Sequence, residues 1–390
     1  MNIAYILNST VSNGGATKSF MMMLRGVMNK GVCPFVIVPD TDGIYQDLVS
    51  LQIPVLPITF RTNSFPTVNS LKDIILFLPR LFARLIVNKR AIGKIVSFLS
   101  DKNIDIIHSN VSIITPGYQA ARRLHLPHIF HIREYVDKDF NIHYIPSIHS
   151  LRNLLQSPST YSICITKDIQ RHHGLTESPK SRVIYNGIRP AAKDIPSIRK
   201  KGYLLYAGRI QSAKGITELL DSYLSYTKVT ECPLPLYIAG GTVNKHFYAS
   251  LLRFVESNHI THLVKFLGDR NDIELLMQEA TAIVIPSRFE AFGRCMAEAM
   301  FNGCLVISKN TGGSKEQMDN GQQLEGGEIA LRYNTSDELT LLLESVTKQN
   351  DIYQPYINRA FHAVNSLYAS EINAEKVYQF YEDILYDKTH

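Results

Sequence analysis

No run of about 18 uncharged apolar residues occurs in the 390-residue sequence, so no membrane-spanning helix is expected. The opening stretch, Met1-Asn-Ile-Ala-Tyr-Ile, enters a strand-like run directly and lacks the basic-then-apolar layout of a secretory signal. Cysteine is sparse. The five residues at 33, 164, 232, 295 and 304 form no Cys-x-x-Cys unit, which argues against a zinc site and for reduced thiols in a cytoplasmic protein. A dinucleotide fingerprint, Gly-x-Gly-x-x-Gly, is missing. So are nucleic-acid motifs and the interleaving of aromatic and basic residues used to bind RNA, and nucleic acid is not an expected partner. Internal repeats and low-complexity segments are absent as well.

What is present is enough chain for two domains or one large one, with 45% hydrophobic residues to fill sizeable cores. The net charge of +6 is unevenly spread: residues 1–198 carry 22 Lys and Arg against 12 Asp and Glu, and residues 199–390 carry 19 against 23. A basic first half suits anionic partners such as phosphorylated acceptors or anionic lipid, and it equally suits ordinary solubility.

The stretch from Thr281 to Ser308 organises the rest. Ala282 to Ile285 is an apolar, β-branched run stopped by Pro286, the pattern of a buried parallel strand. Ala297 to Phe301 is helical in composition, and Gly303 ends it before a second buried strand, Cys304 to Ile307. The loop between strand and helix carries Glu290 and Gly293, and Glu298 follows inside the helix. Ligands of open α/β sheets bind beyond the carboxyl ends of strands, where helix N-termini point their partial positive charge outward. Gly293 has no side chain to hold a ligand off, and ionised carboxylates are acceptors suited to a hydroxyl-rich molecule. As an isolated pair, the two glutamates also fit a solvated loop and helix face.

A second unit of this kind runs from Tyr203 to Ala207 and on through Gly208-Arg209-Ile-Gln-Ser-Ala-Lys214-Gly215 into a helix from Ile216. Strand, glycine turn, two cations and helix start together suit a diphosphate, with Arg209 as a planar fork and Lys214 as a mobile point charge. A third lies at the N-terminus, where Asn2 to Asn8 is a strand and Asn13-Gly14-Gly15-Ala16 turns into a helix.

Arg288-Phe-Glu-Ala-Phe-Gly-Arg-Cys-Met-Ala-Glu-Ala-Met300 resembles the Glu-x7-Glu signature of retaining glycosyltransferases of the GT-B fold, family 4, with Ala291 where proline is usual. Gly208-Arg209-x4-Lys214-Gly215 is a second match. Asn186-Gly187 resembles the family's Pro-Asn-Gly turn, with Tyr185 replacing the proline, and Asn310-Thr-Gly312-Gly313-Ser-Lys-Glu316 its Gly-Gly-x-x-Glu feature. The resemblance implies an α/β protein of two Rossmann-like doubly wound domains facing each other across a cleft. The expected limits are 1–190 for the acceptor-side domain, 191–201 for a linker, 202–368 for the donor domain and 369–390 for a helix returning to the first domain. It implies sugar transfer from a nucleotide-sugar donor, a UDP-sugar first and GDP-mannose second, with anomeric retention. Arg209 and Lys214 would stabilise the departing nucleoside diphosphate. Glu298 would hold the ribose, and Glu290 the donor sugar with the amides of Ala291, Phe292 and Gly293. Gly14, Gly15 and Gly208 would border the diphosphate. No Asp-x-Asp motif occurs, and neither metal nor cofactor is expected.

In the first half, Cys33 to Pro39, Val55 to Ile58, Ile104 to His108, Pro127 to Ile132, Tyr161 to Thr166 and Arg182 to Tyr185 complete a predicted sheet. Polar groups at two strand tips, Asn110 and His131-Ile-Arg133-Glu134, are candidates for the acceptor side. The resemblance places His131 near the sugars, to orient them rather than to act as a base. The expected acceptor is a glycan or a polyprenyl-diphosphate-linked glycan in cell-envelope polysaccharide synthesis (lipopolysaccharide or capsule). Residues 70–100 form a long helical pattern, broken or kinked at Pro79, with Lys72, Arg80, Arg84, Lys89, Arg90 and Lys94 against one acid, Asp73. Two readings stand: an amphipathic helix resting on an anionic membrane, or a helix whose apolar face packs on the sheet. Residues 137–159 read as a mobile loop with a short helix, and the chain beyond Ser336 as helical. Other assignments for the whole are a UDP-N-acetylglucosamine epimerase, a sugar phosphorylase, for which no pyridoxal-binding lysine is found, and a non-catalytic binder of glycan or lipid.

Overall fold

The computed structural model describes residues 1–66, 71–138, 142–242 and 244–389. Ser70 at the head of the 70–100 pattern, and residues 139–141 of the 137–159 segment, lie outside them. The chain divides into two compact units, Met1–Arg189 with Ser370–His390, and Pro190–Ala369.

The first unit contains β1 (Asn2–Ile6), β2 (Cys33–Val38), β3 (Val55–Pro57), β4 (Ser64–Pro66), β5 (Ile106–Ser109), β6 (His128–Ile132), β7 (Ile142–Tyr144), β8 (Thr160–Cys164) and β9 (Ser181–Val183). Seven of them make a parallel sheet in the order β3-β2-β1-β5-β6-β8-β9. The chain builds outward from β1 to β3, then returns to the other side of β1 to start again at β5. That reversal is the topological switch point, where the loops after β1 and β5 part and leave a crevice. Apolar clusters cover both faces of the sheet, which is why its strands read as continuous rather than alternating hydrophobic runs.

The second unit contains β10 (Leu204–Ala207), β11 (Leu236–Ala239), β12 (Val264–Gly268), β13 (Ala282–Ile285), β14 (Leu305–Lys309) and β15 (Leu331–Tyr333), in the parallel order β12-β11-β10-β13-β14-β15. Its switch point lies between β10 and β13. The expectation of doubly wound α/β domains holds in both units.

The last helix, Ser370–Thr389, belongs to the first unit and packs along the helix Gly15–Met28. Contact is close enough that a Cβ on Gly26 would sit 2.4 Å from the Cβ of Ala374. Val377, Phe380, Tyr381 and Ile384 enter the core beneath β1.

Several details differ from the sequence reading. The 70–100 pattern is two helices, Leu71–Ile75 and Phe77–Leu99, which part at Leu76 and not at Pro79. Pro79 falls in the first turn of the second helix, where the missing N–H costs nothing. Arg84, one of the cations of that pattern, is buried, with its guanidinium 5.0 Å from the centre of the Phe65 ring. Only the end of this pattern packs on the sheet: Ala91, Ile92, Ile95 and Leu99 are buried, whereas the large apolar residues before them on the outer side are exposed. The antiparallel ribbon of β4 with β7 and the edge strand β15 had no expectation at all.

Candidate active site

At the switch point of the second unit, three glycine turns are fastened together. Gly208 donates its backbone N–H to Ala239 O at 2.9 Å. Gly240 lies so close that a Cβ there would be 1.9 Å from Gly208 O. Gly215, at φ 72°, ends the short 3-10 turn Ser212–Lys214, and a Cβ on it would be 1.8 Å from Pro286 O. Arg288 N–H donates to Ala213 O at 3.2 Å, so the loop after β10 and the loop after β13 are one backbone assembly.

This assembly sets the side chains. Lys214 Nζ lies 2.6 Å from Glu290 Oε1, an ion pair between groups 76 positions apart, each about a fifth exposed. Arg209 is exposed, and its backbone carbonyl accepts from the Tyr206 hydroxyl at 2.9 Å. Glu298 pairs with Arg294 one turn earlier at 2.9 Å. Gly293, at φ 88°, caps the helix Arg294–Phe301. Beneath the loop, Gly313 N–H donates to Glu290 O at 2.7 Å, and the Gln317 amide donates to the carbonyls of Phe292 and Gly293. Phe292 is buried against Tyr368 and Ala291 is half-buried. The Cys295 thiol donates to Ala207 O, tying the helix start to the end of β10. Its pKa is raised well above the usual thiol range, by burial first and then by Glu298 and Glu290, with Lys214 opposing. The charges of both carboxylates and the lysine therefore act on one half-buried thiol. The predicted donor-side residues Gly208, Arg209, Lys214, Glu290, Ala291, Phe292, Gly293 and Glu298 lie on the connected loops and helix start beyond β10 and β13.

At the switch point of the first unit, Gly14 and Gly15 begin the helix Gly15–Met28, and the Asn110 amide reaches Ala16 O at 3.5 Å. Arg133 is buried, and its fork is held from inside the protein. Nε donates to Asn110 O and Oδ1 at 3.2 and 3.1 Å, Nη1 to Asn186 Oδ1 at 2.6 Å, and Nη2 to His131 Nδ1 at 3.2 Å. Glu134 turns inward, accepting from Ser112 N–H, the Ser112 hydroxyl and Arg133 N–H. The structure thus joins Asn110, His131 and Arg133 in one buried cluster, while Glu134 holds the turn at Ser112.

The hydrogen bonds assign the protons on that cluster. Arginine only donates, so His131 Nδ1 is an acceptor. His108 Nε2, 3.2 Å from the same nitrogen, brings a hydrogen to it. His108 Nδ1 is then bare and accepts from the Tyr381 hydroxyl at 2.7 Å, which in turn accepts from the Tyr5 hydroxyl at 3.2 Å. Burial, followed by the nearby Arg133 charge, pushes both imidazoles well below the usual histidine range, so both are neutral. His131 accordingly carries its one proton on Nε2, a buried atom with no partner among the described residues. Sequence reasoning missed His108, Asn186 and Tyr381. For the first two a strand-tip position and an Asn-Gly turn were visible signals, and for Tyr381 there was none.

Residues 189–362 match the family model for glycosyl transferases group 1. Over that segment the chain is similar to group 1 glycosyltransferases. The span includes the whole second-unit site, from Gly208 to Glu298. An uncharacterized glycosyltransferase of Methanocaldococcus jannaschii is 25% identical over 83% of this chain and 90% of its own length. The Escherichia coli O-antigen biosynthesis glycosyltransferase WclY is 22% identical over 57% of this chain and 60% of its own length. Among solved structures, Anabaena HepE in complex with UDP superposes with a TM-score of 0.76 at 18% identity, covering 98% of this chain and 100% of its own. At that identity the superposition establishes the fold, which is GT-B. Among the described residues, no group of His, Cys, Asp and Glu has metal-binding geometry, and no helix is long and apolar enough to cross a membrane.

Proposed function

We propose that the protein is a retaining glycosyltransferase of family 4 that moves a sugar from a UDP-sugar to a glycan or polyprenyl-diphosphate-linked acceptor in cell-envelope polysaccharide synthesis, on the cytoplasmic side. The observation that carries this reading is the Lys214–Glu290 pair on a glycine bed at the switch point, with Arg209 exposed in the same turn as Lys214. The UDP bound to HepE and the role of WclY in O-antigen biosynthesis support the donor and the setting.

On this reading Lys214 and Glu290 neutralise each other within the site. A nucleoside diphosphate draws Lys214 Nζ from Glu290 to a phosphate oxygen, and Arg209 takes the diphosphate from the solvent side. Glu290, released, accepts from sugar hydroxyls, and Glu298 accepts from the ribose. As the bond from the anomeric carbon to the phosphate oxygen lengthens, negative charge grows on that oxygen, where the two cations stabilise it. These cations do the work a divalent metal would do, so the reaction is assigned as metal-independent. The acceptor oxygen bonds to the anomeric carbon on the face the phosphate is leaving, and its proton passes to the departing phosphate oxygen. His131, with its one proton on Nε2 and its Nδ1 accepting from Arg133, is not the base.

The test is nucleoside diphosphate release from UDP-hexoses, with the anomeric configuration of the product read by NMR. Lys214→Ala and Glu298→Ala should each cut turnover sharply with the fold intact. Near-normal turnover in either would remove that residue's role, and an inverted product would remove the mechanism.

A further inference from the structure

The helices Leu71–Ile75 and Phe77–Leu99 present a feature that sugar transfer does not use. Leu71, Ile74, Ile75, Leu78, Phe82, Leu85 and Ile86 are each between 46% and 76% exposed. Spacing of three and four residues puts Leu78, Phe82, Leu85 and Ile86 along one stripe of the second helix, with Leu71, Ile74 and Ile75 on the first helix just before it. Seven large apolar side chains in one stretch of a soluble surface mark an interaction site and not chance exposure. The stripe is held firmly. Its far end is rooted by Ala91, Ile95 and Leu99 in the core that includes Ile6, Ile37 and Ile107, and Arg84 points inward over Phe65. Asn88 braces the segment further, its amide donating to Arg61 O at 3.0 Å and its carbonyl accepting from Arg61 N–H at 2.8 Å.

The flanking charges are of nearly one sign. Lys72, Arg80, Lys89, Arg90 and Lys94 are exposed, and Asp73, which pairs with Arg80 at 3.1 Å, is the one acid between residues 71 and 100. A second copy of this surface would bring like charges together and be repelled. An anionic bilayer offers both complements, acyl chains for the stripe and phosphates for long cationic side chains that can bury their stems and keep their heads at the interface.

We propose that residues 71–90 are a membrane-docking surface, which lies in the plane of an anionic phospholipid leaflet with Leu78, Phe82 and Leu85 in the acyl boundary and Lys89 and Arg90 at the headgroups. The ten residues of the second helix from Phe77 to Ile86 span about 15 Å at about 1.5 Å each, a length that rests in the interface and does not cross it. The surface would hold the first unit against the layer in which a lipid-linked acceptor resides, though the proposal stands whether or not the transferase reading does.

Co-sedimentation of the full chain with vesicles, with no substrate present, tests it. The wild type should bind vesicles of phosphatidylcholine with phosphatidylglycerol, bind phosphatidylcholine alone far more weakly, and release as salt is raised. Lys89→Gln with Arg90→Gln removes two interfacial charges and should weaken binding about thirtyfold. Phe82→Glu with Leu85→Glu should abolish binding, while the melting temperature stays at the wild-type value because both side chains are already exposed. Failure of the wild type to bind either vesicle, or unchanged binding by the Phe82→Glu, Leu85→Glu variant, would overturn the proposal. A wild-type dimer dissolved by that same variant, without vesicle binding, would overturn it in favour of a second copy as the occupant.

Discussion

If Lys214 must leave Glu290 to reach a diphosphate, replacing either partner should change nucleotide affinity in opposite directions. Glu290→Gln leaves the loop backbone intact, since Gly313 N–H bonds the Glu290 carbonyl and not its side chain. It releases Lys214 from a partly exposed pair at 2.6 Å, and pairs of that exposure hold about 0.2–1 kcal/mol. UDP affinity should therefore be unchanged or rise, by up to about fivefold. Sugar turnover should fall, because the hydroxyl acceptor is lost. Lys214→Ala removes the cation itself. Loss of one preorganised group that stabilises developing charge costs about 2.7–4 kcal/mol, or about a hundred- to a thousandfold in turnover, and UDP affinity should drop with it. Calorimetric titration of UDP into both variants, alongside nucleotide release, reads both effects. A Glu290→Gln protein that loses UDP affinity as severely as Lys214→Ala would refute the exchange of partners.

Other consequences follow from the buried histidines and the glycine bed. His108 and His131 are held well below the ordinary value, His128 at about 3 and His173 at about 4, in each case by burial first. The unfolded chain therefore binds protons on these groups that the folded chain does not, and stability falls as pH drops below about 6.5 toward the folded values. Each group should contribute about 1.4 kcal/mol per pH unit in that window; melting temperatures at pH 7.5, 6 and 5 should decline, and a flat series would contradict the burial argument. Tyr381→Phe strands the His108 Nδ1 acceptor and should cost about 1–3 kcal/mol in urea unfolding, where no change would show that the proton order along the chain is wrong. Gly215→Ala would set a methyl 1.8 Å from Pro286 O, so the loop must shift; UDP binding should be lost, and a variant that binds normally would disprove the close approach.

The residues beyond β10 and β13 were legible because each of the two groups lies close together in sequence. A β-branched run, a glycine turn and a helix start recur at Tyr203–Gly215 and Thr281–Phe301, and strand-end turns that share a switch point must meet. The stitch between them was not legible: Gly215 on Pro286 and Gly313 on Phe292 are contacts of shape, which only coordinates display. The buried cluster of the first unit was half legible. His131 and Arg133 stood out at a strand tip, but Tyr381 lies 273 positions from His108, and nothing local marks its hydroxyl as a partner. Pro79 misled because proline breaks helices only beyond the first turn, and the true parting at Leu76 has no sequence marker. The ribbon of β4 with β7 uses three residues from each strand, too few for any alternation to register.

The most direct test of the central claim is thermal denaturation of the wild type and an Arg209→Ala, Lys214→Ala variant with UDP, GDP, ADP and dTDP, without and with their sugar conjugates. A ligand at about 100 times its dissociation constant adds about 2.7 kcal/mol, a rise of roughly 5–11 °C for units of this size. The account predicts that UDP or a UDP-sugar raises the wild-type melting temperature and leaves the double variant unmoved. No response to any nucleotide, or an equal rise in the double variant, would contradict it.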